Sequence, residues 1–325
     1  MNLADFRNAL KALDRNPPAF RANPERSRAF LEIGRFFDEC IGAGRACDLK
    51  KRPSEVWRLI EPRLRAAADD VPATVLPRRG VAAWQMYNDG VIVKTDEVVI
   101  GLDVIPMPRF FGWNEPEGLT ARLAGLVDIL LVTHDHEDHY DRPLVRACLN
   151  MGKPVLLPDA LARDWERDAN LHPVCDGWKL DLCDLRITAR RGFHVWREKI
   201  DDVPLAYYEV TCQEGYTFLF GGDVDYTKAF EKTPGQAVDL LFLPWRNPNE
   251  RFEDGRPEQT GTTLDAVRVA LDRVSPTALL YEHVAELNHI YESWAPASCD
   301  MALALKDHVG IPSELLFWGE KILLH

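Results

Sequence analysis

Short runs rich in branched and aromatic residues recur from residue 80 onward: "GVAAWQMY", "GVIVKT", "EVVIGLDVI", "VDILLVT", "KPVLLP", "DLRITARRGF", "LAYYEVTCQ", "YTFLFGG", "VDLLFLP" and "TALLYE". Runs of this length, punctuated by Gly, Pro and Asp, read as strands. Between several of them lie "DRPLVRACLNMG", "DALARDWERD", "TTLDAVRVALDRV" and "CDMALALKDHVG", which read as helices. The first strands follow one another as hairpins and strand-helix units come after. Such a chain is expected to build a mixed, layered α/β domain. Residues 1–78 have a different character. "LADFRNALKALDR", "PERSRAFLEIGRFFDECIGAG" and "PSEVWRLIEPRLRAAADD" carry apolar residues at three- and four-residue spacing, so a helical N-terminal extension at 1–78 is expected before the α/β domain at 79–325.

Composition narrows the function classes. A chain of 325 residues with 46% hydrophobic residues can bury a large core. Its formal net charge of -12 repels phosphate backbones, so no nucleic-acid partner is expected. No apolar run approaches the ~20 residues of a membrane-spanning helix, and the N-terminus does not read as a secretory signal. A cytoplasmic location is therefore expected. The seven cysteines (Cys40, Cys47, Cys148, Cys175, Cys183, Cys212 and Cys299) form no CxxC pair and read as reduced, mostly buried thiols.

The strongest chemical signal sits where "VDILLVT" ends. His134, His136 and His139 alternate with Asp135, Glu137 and Asp138 in six positions, in a chain with only nine histidines. Ligand sites in open α/β sheets collect outside the carboxyl ends of strands. Imidazole nitrogen and carboxylate oxygen are natural ligands of zinc and similar divalent ions. His134 and His136 could hold one metal, Asp138 and His139 a second. A two-metal site requires further ligands downstream, and each of three candidates follows an apolar strand: His194, Asp223 behind a Gly-Gly pair, and His283. Taken singly, each has an ordinary structural explanation: a surface histidine, a helix cap, a core histidine. His289 is a rival for His283, which is favoured for its place at the strand end. His172, His308 and His325 read as surface residues.

This series resembles the metallo-β-lactamase superfamily, over residues 80 to 320: "GLDV" with Asp103, then "HDHEDH", His194, Asp223 and His283 in family order. Within it, "DHYD" and "GGDVDY" are similar to the "DHxD" and "GDxxY" motifs of the branch containing ascorbate-6-phosphate lactonase and the N-acylphosphatidylethanolamine phospholipase D group. The stretch at 247–267 lacks the histidine which that branch often carries there. The resemblance implies a four-layer αβ/βα sandwich holding two divalent ions, zinc with manganese or iron as alternatives. It implies that Asp223 bridges the ions, that His134, His136 and His194 complete the first site, and that Asp138, His139 and His283 surround the second. Asp138 would also orient the nucleophile or shuttle its proton, and Asp103 and Asp141 would support the histidines from behind. Two such ions lower the pKa of a bridging water toward ~7 and polarise the oxygen under attack.

The reaction implied is hydrolysis of a small ester, lactone or phosphodiester by a metal-bridged hydroxide. A nuclease of the same superfamily and a non-catalytic metal-binding scaffold are the alternatives. Arg109, Trp113, Trp245 and Arg246, in loops at the same strand ends, could bind an anionic or polar group, or be ordinary loop residues. The N-terminal helices could cover the catalytic domain or join two copies into a homo-oligomer.

Overall fold

Alternation along the strands sorts side chains onto two faces, and the sorting defines the layers. In β1 (Val81–Gln85), Val81 and Ala83 join one buried apolar cluster while Ala82 and Trp84 join another. The computed structural model describes residues 2–41, 51–77, 80–107, 118–194, 203–212, 215–226, 230, 235–246, 260–292 and 296–324. One seven-stranded sheet contains β1, β2 (Val91–Lys94), β3 (Val99–Leu102), β4 (Ile129–Leu131), β5 (Val155–Pro158), β6 (Leu171–Val174) and β14 (Lys321–Leu324), in the order β14-β1-β2-β3-β4-β5-β6. The second contains β7 (Lys179–Leu182), β8 (Leu185–Gly192), β9 (Leu205–Cys212), β10 (Thr217–Phe220), β11 (Val238–Pro244), β12 (Pro276–Glu282) and β13 (Ser313–Leu315), in the reverse order β13 to β7. Each sheet is antiparallel in one half and parallel in the other.

The cluster between the sheets draws Val91, Val93, Ile100 and Leu131 from the first and Ile187, Val210, Phe218 and Phe242 from the second. The outer faces, with Trp84, Leu130, Leu219, Leu241 and Leu279, pack against helices. This is the helix-sheet-sheet-helix sandwich expected, with helices preceding the first strand. Each of these buried aliphatic or aromatic side chains contributes ~1.5–3 kcal/mol.

The N-terminal helices are α1 (Leu3–Arg15), α2 (Pro24–Cys40) and α3 (Lys51–Ala73). Asn2 and Asp5 close a capping box on α1, while Asn23 caps α2 ahead of Pro24, whose missing N–H leaves no helical bond unmade. Their apolar faces lie on the body of the protein. Phe30 and Phe37 pack on Phe317, with ring centroids 6.3 and 6.5 Å apart. Trp57 of α3 meets Tyr87 edge-on at 6.1 Å, and Tyr87 meets Trp318 at 4.8 Å. Arg26, buried on α2, donates to both oxygens of Glu320 at 2.6 Å and to the Leu315 carbonyl at 2.6 Å.

The remaining helices are α4 (Leu119–Leu126), α5 (Arg142–Asn150), α6 (Asp159–Ala162), α7 (Thr260–Val274), α8 (Leu287–Glu292) and α9 (Cys299–His308). The segment at 159–168 is helical only over α6. Trp165, past its end, donates to Tyr140 Oη at 3.0 Å and lies beneath the guanidinium groups of Arg142 and Arg146. Four strands, β6, β7, β13 and β14, have no counterpart among the runs singled out in the sequence. Among the described residues no disulfide joins the cysteines: Cys40, Cys148, Cys212 and Cys299 are buried thiols, Cys175 and Cys183 exposed ones. No helix among those residues is long and apolar enough to cross a membrane.

Candidate metal centre

The predicted donors converge because their strands end side by side. The loop after β4 carries Thr133, His134, His136, Asp138 and His139, and His194 follows β8. Asp223 follows β10 through Gly221 and Gly222. Gly222 has φ +51°, and a Cβ there would lie 2.6 Å from Thr133 Oγ1, so the close approach of the two loops requires glycine. His283 follows β12 with φ +56°, a strained conformation for a non-glycine residue. Trp245 holds it there: its Nε1 donates to the His283 carbonyl at 3.0 Å, and its backbone N donates to Glu282 O at 3.1 Å.

Ligand atoms of His134, His136, His194 and Asp223 lie within 4.8 Å of one another, as do those of Asp89, His139 and His283, and those of Asp138, His283 and Glu286. Asp223 faces both histidine groups. Its Oδ2 is 4.0, 3.7 and 3.6 Å from Nε2 of His134, His139 and His194, and its Oδ1 is 3.2 Å from His283 Nε2. Asp138 Oδ2 lies 3.7 Å from His139 Nε2 and accepts from Asn88 Nδ2 at 3.0 Å.

A layer of hydrogen bonds behind the rings selects which nitrogen faces inward. Asp103 Oδ2 is 2.8 Å from His139 Nδ1 and accepts from Thr133 Oγ1 at 2.5 Å; Thr133 Oγ1 is in turn 2.9 Å from His134 Nδ1. Glu286 Oε1 is 2.5 Å from His283 Nδ1. Its Oε2 accepts from Arg246 Nη2 at 2.9 Å and lies 2.6 Å from His289 Nδ1. His283 thus enters the cluster, while His289 stands one residue further out, against Glu286. Arg246 is engaged with Glu286, and Trp245 is buried behind His283; neither presents itself as a loop residue awaiting substrate. Asp141 caps α5, accepting from Leu144 N at 2.8 Å. Arg109 and Trp113 lie outside the described residues.

Electrostatics divide the centre in two. Burial holds His134 well below the usual histidine range, with His139, His136 and His194 adding like-charge repulsion. Burial also lowers His136 and brings His194 to about 4. These rings keep a neutral lone pair for a cation. Burial also disfavours charge on His139, but Asp138, Asp89 and Asp223 outweigh it and raise its pKa well above normal. His283 is raised likewise, by Asp223, Glu286 and Asp89 against burial. Desolvation disfavours charge on the partly buried Asp223, but His283 and His139 outweigh it and hold its carboxyl well below the usual range. The fit to metal is direct. Among the described residues, the buried Nε2 atoms of His134, His139 and His283 make no aligned hydrogen bond, although buried polar atoms ordinarily do.

Asn88, Asp89, Glu282, Glu286 and Thr133 were not singled out in the sequence. Asn88 and Asp89 form the β1–β2 turn, Gly90 N donating to Tyr87 O at 3.1 Å. "NDG" between apolar runs is a hairpin signal, and that explanation of the residues conceals their second role.

A family model described as a β-lactamase superfamily domain matches residues 108–284, more than half of the chain. The chain belongs to the metallo-β-lactamase superfamily. Its fold is shared with Igni18, a novel metallo hydrolase from the archaeon Ignicoccus hospitalis, at 13% identity and a TM-score of 0.52, covering 76% of this chain and 99% of that one. YhfI, a metallo-β-lactamase fold protein from Bacillus subtilis, is similar at 15% identity and a TM-score of 0.51, with 75% and 99% covered. CmlA, a diiron β-hydroxylase from Streptomyces venezuelae, aligns at 16% identity and a TM-score of 0.50, over 78% of this chain and 55% of its own. No curated protein matches the sequence.

Proposed function

We infer that the protein is a binuclear metal-dependent hydrolase acting on a small ester, lactone or phosphodiester. The observation that carries this reading is Asp223, a partly buried carboxylate that faces both groups at once: Oδ2 approaches His134 and His194 of the first and His139 of the second, and Oδ1 approaches His283 of the second. His134, His136 and His194 would hold the first ion and Asp138, His139 and His283 the second, with Asp223 shared. Bound divalent ions supply acidification of water and polarisation of the oxygen under attack. The chain's own residues supply the rest. Asn88 fixes the Asp138 carboxylate by donating to Oδ2, so Asp138 is placed to accept a proton from the nucleophile and return it to the leaving group. Asp103 and Glu286 keep Nδ1 of His139 and His283 occupied, turning Nε2 toward the centre. Loops at the strand ends would exclude bulk water and orient the substrate.

The motifs "DHYD" and "GGDVDY" support the lactonase and phospholipase D-like branch, and the net charge of -12 weighs against a nucleic-acid substrate. The donor set does not choose sharply among zinc, manganese and iron, and one structural neighbour, CmlA, is a diiron enzyme. Elemental analysis of the full-length protein is expected to give close to two divalent ions per chain. A screen of the metal-loaded protein against lactone, phosphodiester and thioester reporters is expected to show metal-dependent turnover of at least one. Protein with no bound metal, gaining neither stability nor activity from added zinc, manganese or iron, refutes the reading.

A further inference from the structure

Asp89 lies where a turn residue has no structural need to be. It sits at the tip of the β1–β2 hairpin, a position normally open to water, yet it is fully buried, and neither carboxylate oxygen makes an aligned hydrogen bond among the described residues. An ionised carboxylate left in that state costs several kcal/mol unless a cation faces it. The partners it does face are histidine nitrogens: Oδ2 is 3.3 Å from His139 Nδ1, and Oδ1 is 3.1 Å from His283 Nε2.

His283 Nδ1 is committed to Glu286 at 2.5 Å, so in the neutral ring the proton resides on Nδ1 and Nε2 carries the lone pair. That lone pair points at two carboxylate oxygens, Asp89 Oδ1 at 3.1 Å and Asp223 Oδ1 at 3.2 Å. A buried group of these three atoms needs a positive centre, whether a proton on Nε2 or a metal ion, and the ligand atoms of Asp89, His139 and His283 lie within 4.8 Å of one another, close enough for one ion to serve all three. Two donors each ~2.1 Å from one ion stand about 3 to 3.5 Å apart, the spacing seen here. The hairpin tip is also firmly held: Tyr87 packs against Trp318 and Trp57, and Asn88 donates to Asp138.

We propose that Asp89 is a direct ligand of the second metal ion, through Oδ1. This deepens the binuclear reading and rests on it. The two sites then differ in chemistry: the first has three imidazoles and a share of Asp223, whereas the second has His139 and His283 with Asp89, Asp138 and a share of Asp223. More carboxylate shifts a site toward harder ions such as Mn2+ relative to Zn2+. The second site therefore discriminates less against Mn2+ than the first.

The test uses full-length protein stripped with a chelator and titrated separately with Mn2+ and Zn2+, following heat release and thermal unfolding. For the wild type, two binding steps are expected, with the weaker preference for Zn2+ over Mn2+ in the second. Asp89→Asn is nearly isosteric and is expected to keep the first step while losing more than ~100-fold in Mn2+ affinity at the second, beyond the ~10–100-fold typical of an outer-shell residue. The second-step loss for Zn2+ should be smaller. Asp89→Glu keeps the charge but displaces it, and is expected to retain two steps with a weakened second; it also serves if the Asn variant does not fold. A wild type that binds two ions beside variants with both affinities unchanged overturns the Asp89 ligand and leaves the binuclear reading standing. A wild type that binds a single ion overturns both.

Discussion

If the centre is binuclear as proposed, removing Asp223 would delete a shared negative charge and leave two cations facing each other at short range. Asp223→Ala is therefore expected to lose metal occupancy along with turnover. Asp138→Asn keeps a weak oxygen donor but cannot accept a proton. Its turnover should fall by ~10²–10⁴ while metal content stays near that of the wild type. Measuring metal and rate on the same preparations separates the two, and Asp223→Ala with both metals and full activity would mean the centre has been misread. A second comparison concerns His283 and His289. His283→Ala should weaken the second site, whereas His289→Ala, which removes a neighbour of Glu286 and Arg246, should leave both ions in place; metal analysis showing the reverse overturns the assignment. The histidines and Asp223 were legible as candidates because they recur in order behind apolar runs easily read as strands, although each alone had an ordinary explanation. Asp89 and Glu286 were not. An Asp in "NDG" is already accounted for by turn chemistry, and Glu286 acquires its role only when the chain beyond β12 folds back to put it 2.5 Å from His283 Nδ1.

Elements were legible in proportion to how much of their own burial they encode. α1 and β11 match the runs read from sequence because each carries a full apolar face or core, whereas β7 is half-exposed at the end of its sheet and its "KLDL" has the look of a surface loop. The same criterion separates α7 from α6, whose segment stops being helical once Trp165 finds its place over α5. Contacts between elements were not legible, and the most consequential is Arg26. An arginine on an amphipathic helix reads as solvated, yet here it is 2% exposed, between Glu320 at 2.6 Å and Glu314 at 3.5 Å. Arg26→Ala would leave Glu320 buried without the guanidinium and Glu314 with Lys306 alone, a loss of ~3–5 kcal/mol. Denaturant unfolding should register that loss with metal content unchanged at low denaturant. A change below ~1 kcal/mol would show that water or a neighbouring lysine takes over the pairing.

At the scale of the whole molecule, the N-terminal helices continue the core. Phe6, Phe30, Phe37, Trp57 and Ile60 belong to the same buried cluster as Trp84, Tyr87, Phe317 and Trp318, so the catalytic sandwich presents an aromatic face that α1 to α3 cover. The path from that face to the metal centre is short: Trp57 packs on Tyr87, and the next two residues are Asn88, bonded to Asp138, and Asp89, beside His283. Deleting residues 1–78 is therefore expected to expose a large apolar patch and to loosen the turn that carries Asn88 and Asp89. The truncated protein should aggregate or change its mass in solution, and any soluble fraction should hold its second ion more weakly than its first. Trp57→Ala is the milder probe. It is expected to cost ~3–5 kcal/mol as a large-to-small change in a packed site and to lower second-ion affinity with the first unaffected. Light scattering and metal titration on both proteins check the pair. A truncated chain that stays soluble at unchanged mass, with both ions and full activity, would establish the helices as an independent appendage and break the link from Trp57 to the metal centre.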